Sequence, residues 1–72
     1  FAVKEPATVK LLIFNLRGEL VRTLADGEFS RGLYEKRWNG RDNAGRAAAS
    51  GLYFYRLHIG GKIYQGRMQM VK

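Results

Sequence analysis

The chain of 72 residues has no cysteine, one proline and one histidine. Without cysteine there are no disulfides, no thiolate nucleophile and no cysteine-based metal site. A single imidazole, His58, excludes any site that needs several histidines. No apolar run approaches the roughly 18 residues that span a bilayer as a helix, so no membrane insertion is expected. Helical patterning is nearly absent as well. Ala47-Ala48-Ala49 has good helix propensity, but three residues cannot hold a helix and Gly51 follows at once. Acidic residues are scarce: six face 13 Lys and Arg, which leaves a net charge of +7 and a pI near 10.3. Nothing has the form of a signal peptide, and residue 1 is Phe, so a piece of a longer protein is expected. Residues 1–72 are read as one domain, since a chain this short cannot bury two cores.

What is present is a globular composition, 46% hydrophobic and 12% aromatic, patterned with period two. Val9, Leu11 and Ile13 point one way; Lys10, Leu12 and Phe14 point the other, and Lys10 marks that second face as the wetter one. Phe1-Ala2-Val3 reads as a short edge strand before Pro6. Asn15-Leu16-Arg17-Gly18 reads as a tight turn, with Gly18 supplying the positive φ and Asn15 bonding forward to the turn backbone. Glu19 to Leu24 returns as a second strand. Asp26-Gly27 opens a loop that closes at Gly32, and Leu33 to Trp38 is a third strand of mixed character. Asn39 to Ser50 is the longest irregular stretch, expected to cross over the sheets in extended form. Leu52 to Ile59 is the clearest strand, with Tyr53, Tyr55, Leu57 and Ile59 on one face. Gly60-Gly61 makes a two-residue hairpin turn. Lys62 to Val71 pairs back, with Gly66 as a bulge candidate. The expected core is Val9, Leu11, Ile13, Val21, Leu24, Trp38, Tyr53, Tyr55, Leu57, Met68 and Met70. Val21 and Leu24 cannot both obey strict alternation. Together these features predict an all-β fold: a small immunoglobulin-like sandwich of about seven short strands.

Candidate chemistry is sparse. Ser50, His58 and Asp42 are the residue types of a hydrolytic triad, but Ser50 lacks a Gly-x-Ser-x-Gly elbow and precedes a turn glycine. The carboxylates flank turns or face out from strands. Arg41 and Arg46 crowd the loop around Asp42 and Asn43, so a calcium loop of the EF-hand kind fails there and turn formation accounts for both residues. The glycines belong to hairpins, not to a loop that leads into a helix and cradles phosphate. The expectation is no enzyme, no small-molecule substrate, no metal and no cofactor. Phe14, Phe54, Lys10, Arg56 and His58 can form a basic aromatic face of the kind that stacks single-stranded nucleic acid. The cations are spread along the whole chain, with Lys36-Arg37 the one adjacent pair, so mutual cover of Phe14 and Phe54, or cover by a preceding domain, is the better account and nucleic acid the weaker one.

The order of motifs resembles a known family. Val9 to Leu24 is similar to the first hairpin of FlgD-like immunoglobulin-fold domains. Trp38-Asn39-Gly40-Arg41-Asp42 with Gly45 resembles their Trp-Asp-Gly-x-Asp loop, with Asn39 in place of the usual Asp. Gly51-Leu52-Tyr53-Phe54-Tyr55 resembles their Gly-x-Tyr-x-Tyr strand. Arg67 to Lys72 looks like their closing strand, with Arg67 in place of Lys. The family overlaps with the C-terminal sorting domains of type IX secretion, which end large secreted enzymes and adhesins. The resemblance therefore implies a non-catalytic C-terminal sorting and translocation domain, with Lys72 as a natural C-terminus. It further implies a secreted or cell-surface protein that passes through the periplasm. The implied partners are the secretion machinery or a preceding domain of the parent protein. Recognition is expected at Lys62, Arg67 and Lys72 on the last hairpin, with Asn39, Arg41 and Asp42 as a second contact. A passive spacer, a flagellar hook-capping subunit and a nucleic-acid binder are the alternatives.

Overall fold

The computed structural model describes residues 1–71. Strands form where apolar residues alternate: β1 (Ala2–Val3), β2 (Ala7–Phe14), β3 (Leu20–Phe29), β4 (Gly32–Leu33), β5 (Gly51–Ile59) and β6 (Lys62–Met70). No helix occurs among the described residues. The strands make two antiparallel sheets, a large one in the order β3-β2-β5-β6 and a small one pairing β1 with β4. This is the small all-β immunoglobulin-like sandwich that the patterning predicts, with six strands among the described residues where about seven are expected.

The hairpin turns are set by local chemistry. Asn15 Oδ1 accepts from the backbone N–H groups of Arg17 and Glu19, both at 3.0 Å, and Gly18 takes φ +80°. The turn brings β3 back beside β2. Gly60 has φ +57°, and the Gly60-Gly61 turn closes on the pair Ile59 and Lys62.

One face of the large sheet is the core. Val9 and Ile13 are fully buried, and Ala25, Tyr53 and Leu57 are nearly so. Burying a side chain such as Ile13 stabilises the fold by about 1.5–3 kcal/mol. Two covers close this face. At one end the small sheet presses Val3 into the cluster of Val9, Ala25 and Leu57, with Phe1, Phe29 and Tyr34 packed around it. At the other end Trp38 meets Tyr53 edge-on, with ring centroids 4.9 Å apart. The Tyr53 hydroxyl donates to the Ala49 carbonyl at 2.6 Å. The irregular stretch after Trp38 thus serves as the second cover.

The structure corrects several sequence expectations. Gly27 does not open a loop; it stays in β3 opposite Val9, and the strand continues to Phe29. Ala25 therefore joins the core. The strand expected over Leu33 to Trp38 shrinks to Gly32–Leu33. Phe1 and Tyr34 exchange backbone bonds of 2.7 and 2.8 Å, but Glu35, Lys36 and Arg37 are exposed and reach no further ladder. The conflict between Val21 and Leu24 is settled by two bulges. The partner of β2 jumps from Ala25 to Thr23, and again from Arg22 to Leu20. Leu24 and Val21 are the extra residues, and both end half-buried. Each bulge changes the parity of the strand, which strict alternation cannot anticipate. Gly66, by contrast, is no bulge, because β5 and β6 pair without a register shift. It is a notch. A Cβ there would lie 2.6 Å from the Tyr55 hydroxyl oxygen and 2.7 Å from Cε2, so the Tyr55 ring occupies the space of the missing side chain.

Candidate functional site

The loop that holds Asn39, Arg41 and Asp42 is itself a hairpin in miniature. Arg41 and Ala47 form an isolated bridge. Asp42 Oδ1 accepts from the N–H groups of Ala44 and Arg46 at 3.0 and 2.9 Å, and Gly45 takes φ +84°. This repeats the turn at Asn15, with the same side-chain oxygen reaching two and four residues ahead. Asn39 Oδ1 accepts from the Arg41 N–H at 3.0 Å. Arg41 Nη1 donates to the Gly45 carbonyl at 2.9 Å, and Trp38 Nε1 donates to the Arg41 carbonyl at 2.9 Å. All three predicted residues thus spend hydrogen-bonding groups on the loop itself. The Arg46–Asp42 ion pair, 3.6 Å apart with Arg46 largely exposed, adds little.

Two residues that sequence reasoning missed tie this loop to the sheet. Arg22 Nη1 donates to the Asp42 carbonyl at 3.0 Å. Asn43 donates its N–H to the Val21 carbonyl and accepts from the Thr23 N–H, both at 3.0 Å. The bulges in β3 supply these bonding positions. Nothing local in Leu20-Val21-Arg22-Thr23 signals them, because a bulge is defined by the partner strand.

The last hairpin is the other predicted contact. Lys62 and Arg67 are both exposed and belong to none of the ion pairs among the described residues, which join Arg37 to Glu35 and Arg46 to Asp42. They are five residues apart on one strand, so they leave opposite faces of the sheet. Lys62 sits at the Gly60-Gly61 turn; the far end of β6 lies about 26 Å away at about 3.3 Å per residue. That far end is the part of β6 that meets the loop: Met70 and Val71 share a concavity of about 360 Å³ with Trp38, Asn39, Gly40 and Arg41. The structure therefore brings Asn39 and Arg41 to the end of the last strand, and leaves Lys62 apart. Lys72 lies outside the described residues.

The outward face of the large sheet carries the basic aromatic set. Register places Phe14 opposite Phe54, and Phe54 opposite Arg67. The Arg56 guanidinium lies 5.3 Å from the Phe14 ring centroid, a cation–π distance. A shallow concavity of about 370 Å³ runs from Phe14 and Leu16 across Phe54 to Arg67. His58 lies one row further along, beside Lys10 and Ile63. Ser50 precedes β5 and His58 falls near its end, about 26 Å away in an extended strand, so these two residues do not meet. Among the described residues no cluster of three or more His, Asp or Glu has metal-binding geometry.

Comparison with known proteins adds one finding: the family model for the FlgD Ig-like domain matches residues 1–59. The match runs from β1 to the end of β5, and β6 lies beyond it. No curated protein and no solved structure matches the chain.

Proposed function

The chain belongs to the FlgD Ig-like domain family, and from that premise we propose that it is a non-catalytic C-terminal sorting and translocation domain of a larger bacterial protein secreted by the type IX route. The secretion machinery recognises its folded surface, and the cargo reaches the medium or the cell surface through the periplasm. The observation that carries the reading is the β5–β6 hairpin. It presents Lys62 and Arg67 to solvent with no acidic partner among the described residues, and its far end meets the Asn39–Arg41 loop in one concavity. A cationic folded surface of this kind is steered toward an acidic partner. Membership in the family supports an Ig-like module, and the internal bonding of Asp42 and its neighbours supports a structural role for that loop's polar groups.

The test is a secretion assay. Residues 1–72 are fused behind a signal peptide and a fluorescent reporter in a type IX-secreting bacterium, beside a strain without the secretion pore. The reporter is expected in the medium of the first and in the periplasm of the second. Equal periplasmic retention in both strains refutes the reading in favour of a passive spacer packed against a neighbouring domain. Lys62→Glu with Arg67→Glu is expected to cut export while leaving the fold intact, since both side chains are exposed.

A further inference from the structure

The large sheet has two edges, and they are treated differently. At the β3 edge two bulges interrupt the pairing with β2, and Asn43 bonds to both Val21 and Thr23. Bulges and a covering loop are the usual ways of closing an edge to further strands. The β6 edge has neither. Its nine residues pair with β5 in unbroken register, and it holds no proline. Among the described residues, no backbone group from another segment bonds to it.

Which groups face outward follows from the turn. A two-residue hairpin closes on a hydrogen-bonded pair, here Ile59 with Lys62, and bonded pairs then alternate along the ladder. The other side of β5 agrees: the Gly60 N–H reaches the Thr8 carbonyl of β2 at 3.0 Å, so the odd-numbered residues of β5 bond toward β6. Ile63, Gln65, Arg67 and Gln69 consequently aim their N–H and C=O groups away from the sheet. β6 carries Lys62 and Arg67 and no acidic residue, and the next side chains inward from Gln65 and Arg67 are Arg56 and Phe54.

We propose that the free edge of β6 is an acceptor for an extended acidic segment of a partner protein, which adds to the sheet as a further strand. Main-chain bonds to Ile63, Gln65, Arg67 and Gln69 supply the affinity. Carboxylates on the outward face of the added strand meet Arg67 and supply the selectivity. A second copy of the chain is the wrong occupant on charge grounds. Each copy carries +7, and β6 against β6 offers no acid to either cation. The inference deepens the sorting reading by naming the chemistry of the partner at the same hairpin, and it rests on that reading for the partner's place in secretion.

The probe is a fluorescein-labelled peptide of alternating Glu and Val, about as long as a strand of this kind plus its flanks. Its controls are the same peptide with Lys for Glu and the same peptide N-methylated throughout, which keeps the charge and loses every backbone donor. Binding is followed by polarisation and by hydrogen exchange on residues 1–72. The Glu peptide is expected to bind, to protect the amides of Ile63, Gln65, Arg67 and Gln69, and to weaken by about tenfold or more with Arg67→Glu. The two control peptides are expected not to bind. Equal binding of the N-methylated peptide reduces the effect to charge and overturns the proposal. So does failure of the Glu peptide to bind, and so does a dimer of the free chain with those amides already protected. Gln65→Pro removes one outward N–H and no β5 bond, and should abolish peptide binding. A reporter exported normally from a domain that refuses the peptide overturns this inference and leaves the sorting reading standing. A domain that binds the peptide yet is not exported does the reverse.

Discussion

Gly66→Ala isolates the notch that the Tyr55 ring fills. In most extended strands this substitution helps, because alanine narrows the unfolded ensemble and gains about 0.4–1 kcal/mol. Gly66 has no positive φ to defend, so backbone strain does not enter. The new methyl carbon, however, would sit 2.6 Å from the Tyr55 hydroxyl oxygen, 2.7 Å from Cε2 and 2.8 Å from Cζ. The ring must swing away from a position between buried Tyr53 and Leu57 on the core face. Overpacking of this kind costs about 1–3 kcal/mol. The net loss is then up to about 2.6 kcal/mol, centred on about 1.3 kcal/mol, and at about 4–8 °C per kcal/mol for a domain this size the thermal midpoint falls by several degrees. The assay is thermal unfolding read by the one tryptophan, Trp38, whose contact with Tyr53 reports on the same core. The decisive arm is the double mutant. On a Tyr55→Ala background the added methyl has room, and Gly66→Ala should be neutral or slightly stabilising. A coupling of about 1 kcal/mol or more between the two sites is the expected result. A Gly66→Ala penalty that persists without the Tyr55 ring would refute the reasoning.

Two further stability predictions follow from the same contacts. Ile13→Ala empties a fully buried position and should cost about 2–5 kcal/mol, enough in a domain of this size for circular dichroism to show loss of most of the folded population at 37 °C. Asp42→Ala leaves the exposed N–H groups of Ala44 and Arg46 to water in place of their acceptor and should cost about 0.5–1.5 kcal/mol in thermal unfolding; Asp42→Asn should cost under about 0.5 kcal/mol, since Asn15 performs the same task in the first turn.

The elements that can be read from the sequence are those whose cause is contiguous. The Asn15 turn depends on one side chain and a glycine three residues on, and the Gly60-Gly61 turn on two adjacent glycines. The period of β5 is carried by Tyr53, Tyr55, Leu57 and Ile59 in one uninterrupted run. What stays hidden depends on a partner strand. Ala25 is small and stands beside Asp26-Gly27, a pair that reads as a turn unless Val9 is known to lie opposite. Arg22 looks like a solvated cation until two bulges put it opposite Ile13 and under the Asp42 carbonyl. Gly66 has a local ambiguity, and only the ring across the ladder distinguishes a notch from a bulge.

The same distinction bears on the recognition surface. The sequence reading sets Lys62, Arg67 and Lys72 first and Asn39, Arg41 and Asp42 as a second contact. Among the described residues the fold divides these by how much of each is already used. In the loop, the Asp42 carboxylate, the Asn39 amide and the Arg41 guanidinium all hold backbone groups in place, so replacing them perturbs the loop before it perturbs any partner. In the hairpin, Lys62 and Arg67 hold no ion pair among the described residues, and the strand that carries them leaves a row of backbone groups without a bond from those residues. A change at Asp42 should therefore move stability and binding together. A change at Arg67 should move binding alone, and that contrast separates a contact residue from a scaffold residue without any structure of the complex.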